Sequence, residues 1–432
     1  MDFRPSPRYS HVFQIVFDGP LSLPQLRARQ LRKSWKHLLS DGYINAVFAH
    51  AEHDPETANA ATFRRIGYGL LQWRPLILHF NESFAFARKY TTMGNRMARR
   101  PTRQSQYLRQ IESDFEKVRQ LYKMVGDPLQ QRPEQIFHPG LSAHTPSIND
   151  LCDHFLKENT PQYKNLIQVE LAEFQQAKLI APGFRFAQWQ AVLPFLENNL
   201  DLRMPNPANF KTYRPKRSQG SWVFPIVDPQ SIHYKILIGA HSGPNLLSSG
   251  LHEMGHAIHY QNMPMQVPFL DRFVGDNFLT ETIADVFASL GSRPDFLKDV
   301  WDLPFPIVQA MTRSAQRLAT YSKQKYALDL KFRIELFSTD WDIVEGQAIY
   351  HDYLQKYMGL DAVSVNNFHI TFRPFLPGDY FLANLYSQRI EHELSKFGGN
   401  RWWQSRNAGA WLQDHWFHFG LANPLPYPEW IS

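Results

Sequence analysis

Two histidines stand four residues apart, at 252 and 256, in the stretch Leu251-His252-Glu253-Met254-Gly255-His256-Ala257-Ile258-His259. Residues at that spacing share a face only in a helix, so the pair converges on one point only if the segment is helical. Such a helix, partly apolar and carrying His, Glu and His, needs something to bind or neutralise those groups, because burying them unpaired is costly. The pattern therefore demands a helix, a further donor from elsewhere in the chain, and enough protein to cover the cluster. With 432 residues the chain can supply that cover, as one large domain or as two to three ordinary ones.

Composition excludes several classes. Hydrophobic residues make up 43% and charged residues 20%, which is a globular balance and not a disordered one. Aromatics reach 14% with 11 Trp, which reads as a large core in preference to an aromatic-lined cavity. The net charge of +6 raises the question of nucleic acid. The basic residues gather only in short stretches, Arg27–Lys36 and Arg96–Arg103, with no nucleic-acid motif beside them, so no nucleic-acid partner is expected. The lone Cys152 leaves no disulfide framework and no cysteine metal cluster. The start MDFRPSPRYSHVF lacks the apolar core of a signal peptide, and no apolar run approaches the ~20 residues that span a bilayer. The expectation is a soluble, cytoplasmic protein with no membrane partner.

Apolar residues recur at three- and four-residue spacing over Leu23–Leu39, Gln104–Val125 and Asn165–Ala177, predicting amphipathic helices. Ala60–Phe86 is a further candidate, kinked or split at Pro75. Around Arg217–Ala240 the pattern turns β-branched and aromatic. Ser221–Val227 and Tyr234–Ile238 read as two short strands with a turn at Asp228-Pro229. Helical periodicity resumes near Pro244, with Pro244–Gly250 read as a turn and cap ahead of the histidine helix. The fold expected is mainly α with a small β-sheet, divided into a helical part over 1–210 and a metal-bearing part over 211–432 that together form one continuous domain.

The further donor stands on the next acidic helix, Phe278–Ala288, at Glu281. Two imidazoles and a carboxylate match the three protein ligands of catalytic zinc, which keeps its fourth position open. Glu253 lies beside the ligand face, where it can take a proton from the attacking water without binding the metal itself. Asp285, one turn after Glu281, can accept the outward N–H of a ligand histidine and fix its tautomer. His259 shares the face of His252 but lies seven residues along, too far for a fourth ligand, and reads as a supporting or structural residue.

HEMGHAIHY followed by TETIADVFASLGSRPDFL resembles the active-site helices of the angiotensin-converting-enzyme family, and the form H-E-x-G-H-x-x-H is similar to that of the thimet oligopeptidase family. Both are zinc peptidases of the gluzincin type, and the resemblance runs from Ser221 to about Pro426. It implies a large helical domain around a deep channel and a short peptide as substrate. It also implies zinc on His252, His256 and Glu281, with Glu253 as base and Asp285 behind a ligand. In those families a His and a Tyr leading into a long helix donate to the substrate. Here His369 falls in the substrate-donor position and Tyr380 in that of the oxyanion donor, at the head of a helical run Phe381–Leu394, with Tyr386 as the alternative. A second tyrosine at the family spacing is lacking. Arg373 stands nearby instead, where it can hold a carboxylate bidentately, and this departs from carboxydipeptidase action.

Gly220-Ser221-Trp222 resembles the edge strand that pairs with a substrate backbone in these enzymes, although an interior strand fits the residues equally. Phe397–Trp403 with Trp416–Gly420 resembles their glycine-rich closing segment and is expected to pack over the active-site helices. Two other readings stay open. The same zinc machinery could act on a non-peptide small-molecule amide or a biosynthetic intermediate. The chain could instead be a metal-bound interaction protein without turnover, against which the intact Glu253 argues.

Overall fold

The computed structural model describes residues 149–161, 163, 189–207, 210–212, 222–228, 231–238, 244–264, 266–267, 277–339, 341, 343–360 and 376–419, with isolated positions 42, 46 and 49. The helices expected over Leu23–Leu39, Ala60–Phe86, Gln104–Val125 and Asn165–Ala177 lie outside these residues. What is described is mainly helical, as the periodicity predicts. Chain contacts divide it into two compact units that interleave in sequence. Of the described residues, 189–323 and 380–419 fall in one, and 149–163 and 324–379 in the other. No helix among the described residues is long and apolar enough to cross a membrane.

Among the described residues the first unit opens with α1 (Trp189–Leu200) and a three-stranded sheet of β1 (Phe210–Thr212), β2 (Trp222–Asp228) and β3 (Ser231–Ile238) in the order β1-β3-β2. β2 and β3 form an antiparallel hairpin, Trp222 opposite Leu237 through Asp228 opposite Ser231, joined by only Pro229 and Gln230. β1 runs parallel to β3, with Phe210 opposite Ile236. It is a third strand that the sequence reading did not contain, too short at three residues to show any alternation. Among the described residues β2 lies at an edge of this sheet, which is where Pro225, having no N–H to donate, is tolerated.

The sheet lies against α2 (Pro244–Asn262), which packs on α3 (Asn277–Ser289). Helix α2 corrects one expectation. Pro244–Gly250 is not a turn before the helix but its first two turns. Proline is at ease at a helix start, where its missing N–H would have no partner. The poor helix formers Ser248, Ser249 and Gly250 are carried along because Leu247, Gly250 and Leu251 are buried, and tertiary packing overrides propensity.

After α3, α4 (Pro294–Trp301) and the long α5 (Phe305–Ser338) follow, α5 passing from the first unit into the second at Lys323. Helix α6 (Ile343–Tyr353) belongs to the second unit. There Gln324 donates to Thr160 and to the Tyr357 carbonyl, and Lys331 pairs with Asp153 and Glu335. Cys152 is fully buried in this unit, and burial pushes its thiol well above the ordinary range, so it is a packing residue.

The chain returns to the first unit through α7 (Leu376–Gly398) and α8 (Arg406–His415). Helix α7 corrects a second boundary. It begins four residues before Tyr380 and not after it, with Pro377 in the first turn, where proline costs nothing, and Asp379 favourable beside the helix N-terminus. The core of this unit is aromatic. Trp402 meets Phe287 of α3 edge to face at 6.1 Å, and Trp416 donates its indole N–H to the Leu279 carbonyl at 3.2 Å. The Trp-rich closing segments thus pack on the helix that carries Glu281. Gly409 is required here, because a Cβ would lie 1.8 Å from the Leu200 carbonyl oxygen at the end of α1.

Candidate metal centre

Helix geometry puts His252 and His256 one turn apart on α2, with ring centroids 4.9 Å apart and perpendicular planes. Across from them, α3 presents Glu281. Its Oε2 lies 3.2 Å from His252 Nε2 and 3.3 Å from His256 Nε2, and one ligand atom from each of the three residues falls within 4.8 Å of the others. Donors held at ~2.0–2.2 Å around one tetrahedral ion stand about 3.3–3.6 Å apart, so these separations suit a single metal.

Gly255 allows the two helices to come this close. A Cβ there would lie 2.7 Å from Ala284 Cα and 3.0 Å from the Ile283 carbonyl oxygen, both backbone atoms of α3. The glycine between the two histidines is therefore what brings α3, and Glu281 with it, up to the imidazoles.

Each histidine is oriented by its outward nitrogen. His252 Nδ1 faces Asp285 Oδ1 at 3.1 Å, and His256 Nδ1 faces the Thr280 hydroxyl at 2.8 Å. Both bonds leave Nε2 turned toward Glu281. Asp285 is held in turn by Asn384 of α7, whose Nδ2 donates to Oδ2 at 2.7 Å. Neither Thr280 nor Asn384 figures in the sequence reading. Thr280 could have been found as a hydroxyl next to Glu281, but Asn384 is 99 residues from Asp285 and no local pattern marks it.

The electrostatics follow from burial and from the crowding of charge. Burial raises the pKa of Glu281, but the imidazoles of His256 and His252 outweigh it and hold the carboxylate well below its ordinary range. For His252, burial opposes charge, yet the bonds to Asp285 and Glu281 win and push the pKa well above 6.5. Glu253 is 7% exposed. Burial lifts its carboxyl to about 7 against the opposing pull of His252 and His256, with Glu281 adding to the rise. Lys323 of α5 is pulled down by burial, while Asp285 and Glu391 nearby favour its charge.

Other residues named from the sequence fall elsewhere. His259 is fully buried, neither ring nitrogen has a hydrogen-bond partner among the described residues, and its ring lies against Tyr260 and Phe417. Tyr386 is 5% exposed and packs on Phe278 at 5.5 Å, whereas Tyr380 is less deeply buried and stands one turn before Asn384. Trp222 lies on the edge strand β2. Ser221, His369 and Arg373 lie outside the described residues.

His259 has a measurable consequence. Burial, with His256 adding to it, pushes its pKa down to about 3, against about 6.5 in an unfolded chain. Between those values the unfolded state takes up a proton that the folded state refuses, so stability falls as pH falls through that window. The contribution approaches about 1.4 kcal/mol per pH unit. Urea midpoints measured from pH 7 to pH 4 should drop more steeply for the wild type than for His259→Leu. Equal slopes would contradict the burial of a neutral imidazole.

Several solved structures share this fold. The M32 carboxypeptidase of Deinococcus radiodurans R1 superposes with a TM-score of 0.61 at 13% identity, covering 98% of this chain and 92% of its own. Metallocarboxypeptidase 1 of Trypanosoma cruzi gives 0.63 at 11% identity, with coverages of 98% and 92%. PZ peptidase A gives 0.57 at 11% identity, with coverages of 100% and 84%. No protein-family profile matches the sequence, and none of the curated proteins compared with it does. At these identities the likeness establishes the fold alone, a large and mainly helical one.

Proposed function

We propose that this chain is a zinc-dependent peptidase of the gluzincin type acting on short peptides. The observation that carries the reading is the convergence of His252 Nε2, His256 Nε2 and Glu281 Oε2 at spacings suited to one ion. Two imidazoles and a carboxylate are the donor set of catalytic zinc, and the metallopeptidases that share the fold support a peptide substrate. Zinc, when bound, supplies a Lewis acid that polarises the scissile carbonyl and makes water more acidic. Glu253 accepts the proton of the attacking water and passes it to the leaving amine. Tyr380 donates its hydroxyl to the developing oxyanion, and His369 donates to the substrate. Arg373 pairs with a substrate carboxylate. Ser221 and Trp222 are the residues assigned to substrate binding, and the edge of β2 that begins at Trp222 would offer backbone groups to an extended peptide.

The resemblance implies zinc at the bottom of a narrow channel, where a folded protein cannot thread its backbone without unfolding, at a cost of about 5–15 kcal/mol. The test is a mass-spectrometric digest of a graded peptide ladder beside intact compact proteins. Cleavage of the short peptides alone is expected. Efficient cutting of a folded protein would refute the channel, and silence across the ladder with zinc bound would move the reading to a non-peptide amide. Tyr380→Phe should lower kcat by about 10²–10³ with a smaller change in KM. Tyr386→Phe, at a buried tyrosine, should leave turnover near wild type. The reverse pattern would move the oxyanion role to Tyr386.

A further inference from the structure

Asn384 makes two bonds that differ in kind. Its Nδ2 donates to the Tyr380 carbonyl at 2.9 Å, a bond back to the preceding turn of its own helix. Such a bond is common for a helical asparagine and by itself carries nothing. The other proton of the same nitrogen leaves the helix for Asp285 Oδ2 at 2.7 Å. Both acceptors, a carboxylate and a backbone carbonyl, lack protons to give. The position therefore calls for a side chain with two donors on one atom, which an amide supplies.

We propose that Asn384 is a positioning residue. It locks Asp285, and through Asp285 the ring of His252, to the turn of α7 that bears Tyr380. The inference rests on the metal-centre reading above. Asp285 has a partner on each oxygen, His252 Nδ1 on Oδ1 and Asn384 on Oδ2. A carboxylate held at both oxygens cannot turn about its Cβ–Cγ bond. The acceptor for His252 Nδ1 is thereby fixed in place, and Nε2 is kept facing Glu281 at 3.2 Å. His256 is supported differently, by Thr280 of α3. Asn384 is only 8% exposed, whereas the Asp285 side chain is 19% exposed. Water can replace the lost donor at Asp285 but cannot restore the tie to α7.

The test is the zinc affinity of the full chain, measured by competition with a chromogenic chelator. Wild type, Asn384→Leu, Asp285→Ala and the double variant are compared. Leucine shares the branched heavy-atom skeleton of asparagine and favours helix, so α7 should form; circular dichroism and a urea midpoint check this, and Asn384→Ala takes its place if leucine does not fold. Asn384→Leu should weaken zinc about tenfold or more, the scale of a lost partner behind a metal ligand. The same change should cost nothing further once Asp285 is alanine, because Asn384 acts through it. Wild-type affinity in Asn384→Leu would overturn the proposal. So would an undiminished loss in the Asp285→Ala background, which marks a general structural role. A wild type that binds no zinc would overturn the metal-centre reading itself, and this proposal with it.

Discussion

Glu253→Gln is expected to bind zinc as the wild type does and to hydrolyse peptides about 10²–10⁴ times more slowly. The two halves of that result have separate causes. In the proposed centre the ligand atoms are those of His252, His256 and Glu281, which converge, and Glu253 is not among them, so an amide of the same shape leaves them in place. Glutamine cannot accept a proton, so the step in which water is deprotonated loses its base. The native carboxyl suits that step, being lifted by burial to about 7, while His252 and His256 keep it from rising further. The measurements are metal analysis after dialysis and single-turnover hydrolysis of a short peptide. Loss of zinc in Glu253→Gln would mean the glutamate is a ligand, and retained turnover would mean it is not the base.

The second large effect belongs to a residue with no functional group. Gly255→Ala should destabilise the protein and weaken zinc binding together. On propensity alone alanine would stabilise a helix interior by about 1 kcal/mol relative to glycine. Packing opposes this, because the new Cβ would stand 2.7 Å from Ala284 Cα, and backbone atoms cannot swing aside as a side-chain tip can. Overpacking of this kind costs about 1–3 kcal/mol, enough to reverse the sign. The strain is relieved by moving α3 away, and α3 carries both Glu281 and Asp285. Gly291→Ala is the control, since its Cβ would meet only leucine side chains at 3.4 Å or more. The checks are a urea midpoint and a zinc titration for each variant. A Gly255→Ala protein as stable as the wild type, with zinc affinity intact, would show that the helices do not depend on this contact.

These two residues also mark what a sequence can and cannot disclose. The i, i+4 histidines and the following acidic helix are local patterns, and His252, His256 and Glu281 are read directly from them because helix geometry converts spacing into direction. Asp285 follows by the same rule, one turn after Glu281. The mainly helical fold and the β2–β3 hairpin are local in the same sense. Gly255 is visible as a letter of the motif, but the need for it appears only when Ala284 is set against it. Asn384 is harder still, since its partner is 99 residues away and its neighbours show an ordinary amphipathic helix. The helix starts at Pro244 and Leu376 are hard to place from sequence because proline, serine and glycine read as breakers, whereas buried neighbours and an N-terminal position make them tolerable. β1 is not legible in the sequence because a three-residue strand is specified by its pairing with β3 and not by its own residues.

The most direct test of the central claim is the zinc content of the chain after equilibrium dialysis, measured for the wild type beside His256→Ala and Glu281→Ala. The account predicts about one zinc per chain in the wild type and loss of it in both variants, since a catalytic site keeps only three protein ligands and cannot spare one. A Glu281→Ala protein that holds zinc as tightly as the wild type would contradict it, because the carboxylate on α3 would then not be a ligand.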